Sequence, residues 1–265
     1  MAGSIANRDR ILAGKASIEE VYNEGKDELY QWKRVGDVME NQATLNQDRL
    51  KEHAKNTMIE STPFKGQFDV KHDPAISPEY AHRLAEMIGA PDGSQVVLGD
   101  AKILEWGEVG EIAALLYHSY IKGYAVRIFA DAQTGQRVIR NEVLEKTANA
   151  PNDFIVRLFA QQVAAATRYD YSRILAYAAG KPGGHMNGYY TWPRMGYDGV
   201  WNTEEKAKLP ENFRSTQTVQ DLMATSEGRQ WWKANGWAKE LSFDLKSGSR
   251  SHQVLIQYLT ERGIK

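Results

Sequence analysis

Hydrophobic residues are thin over the first part of the chain and dense from about Tyr80 onward. Between Met1 and Thr62, Ile18, Val21, Tyr22, Leu29, Trp32 and Val35 mark one side of a helix interrupted near Gly25, with Ser17 and Glu20 forming a capping box at its start. A second helical segment is predicted over residues 38–59. Stripes this sparse do not bury a core of their own, so residues 1–76 read as a helical N-terminal arm that is solvated or packs on the body or on a partner.

From Ser77 the pattern changes. Ser77-Pro78-Glu79 is a helix start with proline at the first helical position, and Tyr80, Leu84 and Met87 carry the helix towards Gly89. Residues 95–98 and 102–106 read as short strands. Over 108–122, Val109, Ile112, Ala113, Leu116 and Tyr120 fall on one face of a helix that Gly123 can stop, which places His118 on that helix. Residues 124–130 alternate as a strand, 131–135 turn, and Val138, Ile139, Val143 and Leu144 fit the strand and helix periods equally well. A loop over 148–153 leads into an apolar helix over 154–167, started by Asn152 or Asp153, and then a buried strand over 173–179.

Strand, loop, helix and strand in that order make a parallel crossover unit, so residues 77–200 are predicted to form a mixed α/β domain. Residues 201–265 form an aromatic-rich extension that completes it. Here a helix over 219–234, a strand over 241–245 and an amphipathic helix over 251–262 are expected. Trp231, Trp232 and Trp237 crowd into this extension as either core or interface.

Composition narrows the chemistry. The chain has no cysteine, which excludes disulfides, thiolate metal sites and a cysteine nucleophile. Its formal net charge of −1, with both signs spread along the chain, gives no nucleic-acid signature and no general attraction to anionic membranes. No apolar run approaches the roughly 18–20 residues of a membrane span, and the start lacks a signal-peptide core, so synthesis in the cytoplasm is expected. Glycine-rich phosphate loops and the His-Glu-x-x-His pair are absent, and no metal site is predicted. Glu19-Glu20 and Glu204-Glu205 stand in polar stretches and read as solvated surface.

The densest chemistry lies between residues 136 and 199, ending in Asn187-Gly-Tyr-Tyr-Thr-Trp-Pro-Arg-Met-Gly-Tyr-Asp-Gly199. This stretch, about a quarter of the chain, resembles the GNAT superfamily of acetyl-CoA-dependent N-acyltransferases, and residues 95–198 resemble it more loosely. In that family a strand leads into a loop whose backbone N–H groups bind the cofactor pyrophosphate at a helix start. The next strand and helix end in Tyr-x-x-x-Gly-Phe, to which Trp192-Pro-Arg-Met-Gly196-Tyr197 is similar. The resemblance implies a mixed sheet flanked by helices, acetyl-CoA as cofactor, and Asn149, Asn152, Phe154, Asn187 and Arg194 as cofactor-binding residues.

Departures from the family accompany the likeness. The 148–153 loop has no glycine and ends in Asp153, whose carboxylate is expected to occupy the positive end of the helix and repel a pyrophosphate. Trp192 stands where many members carry the tyrosine that protonates the departing thiolate, and it has no acid to offer. Residues 124–147 leave room for fewer than the family's three strands, so one is expected to be missing or merged. Tyr189, Tyr190 and His185 are the substitute proton carriers, against packing for the tyrosines and simple exposure for His185. Arg194 is the candidate anion binder, or else pairs with Asp198.

Two expectations follow. One is an active N-acetyltransferase acting on an amine. The other, favoured by the altered loop and the lost tyrosine, is a relative that keeps the fold without the activity and holds other subunits through its arm and its tryptophan-rich region. Because the segment from Asn187 to Asp198 resembles phage-encoded relatives associated with virions, the second expectation implies a structural component of a virion-type assembly.

Overall fold

The structure is a computed structural model that describes residues 67–72, 78–102, 111–131 and 134–264. The predicted arm lies outside the described residues as far as residue 66. In chain order the elements are β1 (Asp69–Lys71), α1 (Pro78–Met87), β2 (Gln95–Lys102), β3 (Glu111–Tyr117), β4 (Ile121–Ala130), β5 (Arg137–Lys146), α2 (Phe154–Arg168), β6 (Arg173–Ala178), α3 (Gly188–Arg194), α4 (Thr203–Lys208), a short 3-10 turn (Glu211–Phe213), α5 (Val219–Met223), α6 (Ser226–Asn235), β7 (Lys239–Asp244) and α7 (Arg250–Glu261). The protein is thus a mixed α/β fold, as expected. Its seven strands form one sheet in which spatial order equals chain order. The pairs β1/β2 and β5/β6 are parallel and the others antiparallel.

Two expectations are corrected. Of the helix expected over 108–122, the described residues 111–122 are not helical: within them lies β3, where Ile112, Ala114 and Leu116 are buried and Leu115 and Tyr117 point out. Ile112 and Leu116, four apart, satisfy both periods, and pairing with β2 and β4 selects the strand. His118 therefore sits in the β3–β4 turn, where its Nδ1 accepts the N–H of Tyr120 at 3.1 Å. Residues 124–147 hold most of β4 and all of β5, two strands as that length allows, and β3 precedes them. The helix expected over 219–234 is two helices, because Thr225 caps α6 by accepting from the Gly228 N–H.

One face of the sheet carries the core. Val96, Ile112, Val126, Ile139, Ile174 and Phe243, one from each of β2 to β7, are all at most 5% exposed. Helix α2 lays Leu158, Phe159, Val163 and Ala166 on that face, with the Phe159 ring 5.3 Å from that of Phe243. Leu158, Phe159 and Val163 each contribute about 1.5–3 kcal/mol by leaving water. Helix α7 adds His252, whose ring meets Phe243 edge-on at 5.4 Å.

The extension is built on Trp232, which is fully buried, with Trp237 at 4.9 Å and Trp201 at 5.5 Å. Of the two readings of the tryptophans, core applies to Trp232, while Trp231 and Trp237 are half-buried. Beside them Lys239 is bonded to Glu205 at 2.8 Å and lies 4.6 Å above the Trp201 ring. Burial raises the Glu205 carboxyl, but hydrogen bonds from Lys239, the Asn202 N–H and Trp237 outweigh it, leaving it below its ordinary range. Glu205 is therefore not the solvated surface residue expected for the Glu204-Glu205 pair.

Two outcomes follow from this packing. Gly196 has φ +99°, and a Cβ there would stand 2.3 Å from the Ser251 carbonyl oxygen. Gly196→Ala should lose about 2–4 kcal/mol in urea unfolding, whereas a loss under about 0.5 would contradict the packing. His252 is buried between the Ser249 hydroxyl at 3.1 Å and the Thr167 hydroxyl at 3.4 Å, and burial holds its pKa below the ordinary value. The fold thus prefers neutral imidazole. Its contribution is complete above about pH 6.5 and is lost as pH falls through that value toward the lowered folded pKa. His252→Gln should reduce the stability slope between about pH 5 and 7, to which His118, whose pKa burial also lowers, adds with the same sign.

Candidate functional site

The strands β5 and β6 pair from Val138↔Arg173 to Asn141↔Ala176 and then part. β5 continues to Lys146 on β4 alone, and β6 continues to Ala178 on β7 alone. The register of β4 against β5 jumps from Ala125↔Val143 to Val126↔Asn141, so Glu142 is an extra, bulged residue at the fork. Bulges redirect strands in this way. In open α/β sheets, ligands sit beyond the carboxyl ends of the strands, and here two such ends face each other across a cleft.

Beneath the fork lies a buried polar network. The Asn141 amide donates to Gln162 Oε1 at 2.8 Å and accepts from Gln162 Nε2 at 2.9 Å. Gln162 also donates to the Tyr124 hydroxyl at 3.1 Å, which in turn donates to the Ile88 carbonyl at 2.7 Å. Asn141 reaches the Tyr197 hydroxyl at 3.3 Å. Burial raises the pKa of Tyr124 and Tyr197, so both phenols stay protonated and neither serves as a base. The sequence reading missed this network. Its signal was available as Asn141 in a run of strand residues and Gln162 in a helix otherwise apolar on its inner face.

On the β5 side, the Thr147 hydroxyl lies 2.6 Å from Asn149 Oδ1 and bridges back to the Ser119 carbonyl at 3.2 Å. Asn149 and Asn152 are exposed. Phe154 is buried, stacked on His118 at 5.5 Å and edge-on to Tyr120 at 5.4 Å. Asp153 does not fill the helix end as expected. It makes no side-chain cap bond and turns along α2 to Arg157 at 2.6 Å. That hydrogen bond is the main reason its carboxyl lies below the ordinary range, with Arg262 adding to the effect.

On the β6 side, a bridge between Gly180 and Asn187 closes the loop that exposes Lys181, His185 and Met186. Gly180 has φ +116°, and a Cβ there would meet the Met186 carbonyl at 2.1 Å. Asn187 is the N-cap residue of α3, exposed and without a side-chain cap bond. Tyr189 is 5% exposed and donates its hydroxyl to the Lys233 carbonyl at 2.7 Å; burial, then the neighbouring Tyr190, raises its pKa. The Tyr190 hydroxyl accepts from Arg194 at 3.3 Å. Arg194 pairs with Glu261 at 3.3 Å and lies 5.0 Å above the Tyr258 ring, not on Asp198. Asp198 accepts the backbone N–H groups of Gly199 and Gln220 instead. Trp192 packs against Phe159 and Tyr197.

The fold therefore sets Tyr189, Tyr190 and Arg194 on one short helix capped by Asn187, His185 in the loop before it, Asn149 and Asn152 in the loop after β5, and Phe154 at the start of α2. The bulged Glu142, a carboxylate at the fork that the sequence reading did not single out, is held by Arg127, which also pairs with Glu111 at 2.7 Å. Among the described residues no group of three or more acidic or histidine side chains stands together as a metal site, and no helix is long and apolar enough to cross a membrane. Comparison of the chain with protein-family models, with curated proteins and with solved structures finds no match.

The network sets a measurable expectation. Gln162→Leu removes both Asn141–Gln162 bonds, leaving the Asn141 amide only the Tyr197 hydroxyl, and should cost about 2–3 kcal/mol in urea unfolding. Adding Asn141→Leu should restore part of that loss, because both polar groups are then gone; strictly additive losses would contradict the pairing.

Proposed function

We propose that the chain is a non-catalytic relative of the acetyl-CoA-dependent N-acyltransferases that works as a structural component of an assembly of the phage-virion kind. One feature supports the kinship: the crossover from β5 through α2 to β6, in the order that the resemblance implies. The observation that carries the loss of activity is the use of Tyr189. Its hydroxyl is bonded to the Lys233 carbonyl from a buried position, while Trp192, in the place of the family's acid, is packed between Phe159 and Tyr197. An acid for a leaving thiolate must aim a free proton into the cleft, and these two positions do not. In this reading the protein is made in the cytoplasm and taken into the particle, holding its neighbours through the arm and the half-buried rings of the extension.

One observation favours the alternative, an active acetyl-CoA-dependent N-acetyltransferase. With Asp153 drawn to Arg157, the first turn of α2 has no side-chain cap and keeps donors for an anion. His185 is an exposed titratable group on the facing loop.

The absence of cysteine makes the test direct, since a thiol reagent added to the full-length protein, acetyl-CoA and a panel of amines reads only released CoA. The proposal expects no release above the rate without protein. Protein-dependent release that His185→Ala or Tyr190→Phe lowers at least tenfold would establish the transferase instead.

A further inference from the structure

The chain contains two Asn-Gly steps, Asn187-Gly188 and Asn235-Gly236. Such a step is chemically labile, because no Cβ screens the glycine nitrogen and the backbone can turn to bring it onto the asparagine side chain. The fold treats the two steps differently. Asn235 donates its amide to the Trp231 carbonyl at 3.0 Å, and the N–H of Gly236, a buried residue, donates to the Trp232 carbonyl at 2.7 Å. Both reacting groups of that step are thus engaged.

Asn187 is exposed, and its side-chain amide neither caps α3 nor makes another hydrogen bond among the described residues. Its main-chain carbonyl accepts the N–H groups of Tyr190 and Thr191, each at 3.0 Å. That carbonyl belongs to the same peptide group as the Gly188 nitrogen, so the two donors stabilise the negative charge that spreads onto its oxygen when the nitrogen loses its proton. The loop behind Asn187 carries Gly183, at φ +73°, and Gly184, both exposed. A turn at Asn187 is taken up in that loop while α3 stays in place, at the cost of the single bridge between Gly180 and Asn187.

We propose that Asn187 is a self-modification site, converted in the folded protein to aspartate and isoaspartate. The Gly188 nitrogen, having given its proton to hydroxide, attacks Asn187 Cγ. A C–N bond forms, the Cγ–Nδ2 bond breaks, and the amide nitrogen leaves as ammonia, so that a five-membered succinimide remains. Water then opens the ring, giving aspartate by attack at the side-chain carbonyl and isoaspartate by attack at the main-chain carbonyl. The net reaction consumes water, releases ammonia and adds a negative charge to the chain; it needs no oxidant and no second protein. Either product sets a carboxylate between the end of β6 and α3, beside the cleft, and isoaspartate also lengthens the main chain by an atom where α3 begins. This chemistry is independent of whether the cleft transfers acyl groups.

Incubation of the full-length protein at about pH 8, followed by peptide mapping in a mass spectrometer, tests the site. The expected result is a gain of about one mass unit at Asn187, in two chromatographic peaks of equal mass, about tenfold or more faster than at Asn235, whose step must first open locally. In concentrated urea, where the bonds at Asn235 are gone, the two rates should come within about threefold of each other. Asn187→Ser should abolish the gain in that peptide and leave the circular-dichroism spectrum unchanged. A smaller ratio in the folded protein, an Asn187 that stays intact while the unfolded chain reacts, a preference that persists undiminished in urea, or a gain that survives Asn187→Ser would each overturn the proposal.

Discussion

Everything distinctive in this fold depends on where two parallel strands stop pairing. At Asn141 the ladder between β5 and β6 ends, and the extra residue Glu142 turns β5 away. The backbone beyond the fork can no longer satisfy itself across the gap, and the side chains below must hold the two strands in place. They do so with polar groups. Asn141, Gln162, Tyr124 and Tyr197, together with the Ile88 carbonyl, tie β4, β5, α2, the end of α1 and the segment after α3 into one knot. A buried network of this kind contributes little net energy while intact and costs much when one member is lost. It specifies an arrangement more than it stabilises one, and here it specifies the fork.

The same economy of partners runs through the groups that flank the cleft. The Tyr189 hydroxyl ends on Lys233, Arg194 on Glu261, Asp153 on Arg157 and Glu142 on Arg127. Proton transfer needs a group whose bond is exchangeable with substrate, and anion capture needs a cation with an open side. Most of the side chains suited to either role near this cleft are already engaged inside the protein. For the proposed reading this engagement weighs more than the presence of tryptophan at position 192, because it concerns the neighbours that would have to compensate.

How far the sequence was legible depended on the range of the interactions involved. The crossover β5–α2–β6 could be read because a 15-residue apolar helix between two strand-like runs is a local pattern. The strand β3 was misread because Ile112 and Leu116 suit a helix as well as a strand, and only pairing with β2 and β4 decides between them. At the site, the positions of the candidate residues at two adjacent strand ends followed from their place in the crossover. Their engagement did not. Tyr189 and Lys233 are 44 residues apart and Arg194 and Glu261 are 67 apart, and no local pattern connects them. The Asp153–Arg157 pair is different: four residues apart on a helix, it was readable in principle and changes the meaning of the carboxylate at the helix start.

The two faces of the sheet differ in what they leave to solvent. A transferase needs its cleft open and chemically unsatisfied, so the surfaces beside it must stay available to substrates and cannot be given to a partner. Here the cleft floor is sealed by a satisfied network, and the apolar surface stands beside the cleft on the opposite face. Leu115, Tyr117, Val143 and Tyr177 remain in water only at a solvation cost of about 25 cal/mol for each Å² of apolar area. The ion pairs around them are already closed, so a partner meets no unpaired charge that must be stripped of water before contact. Covering that apolar surface recovers this solvation cost.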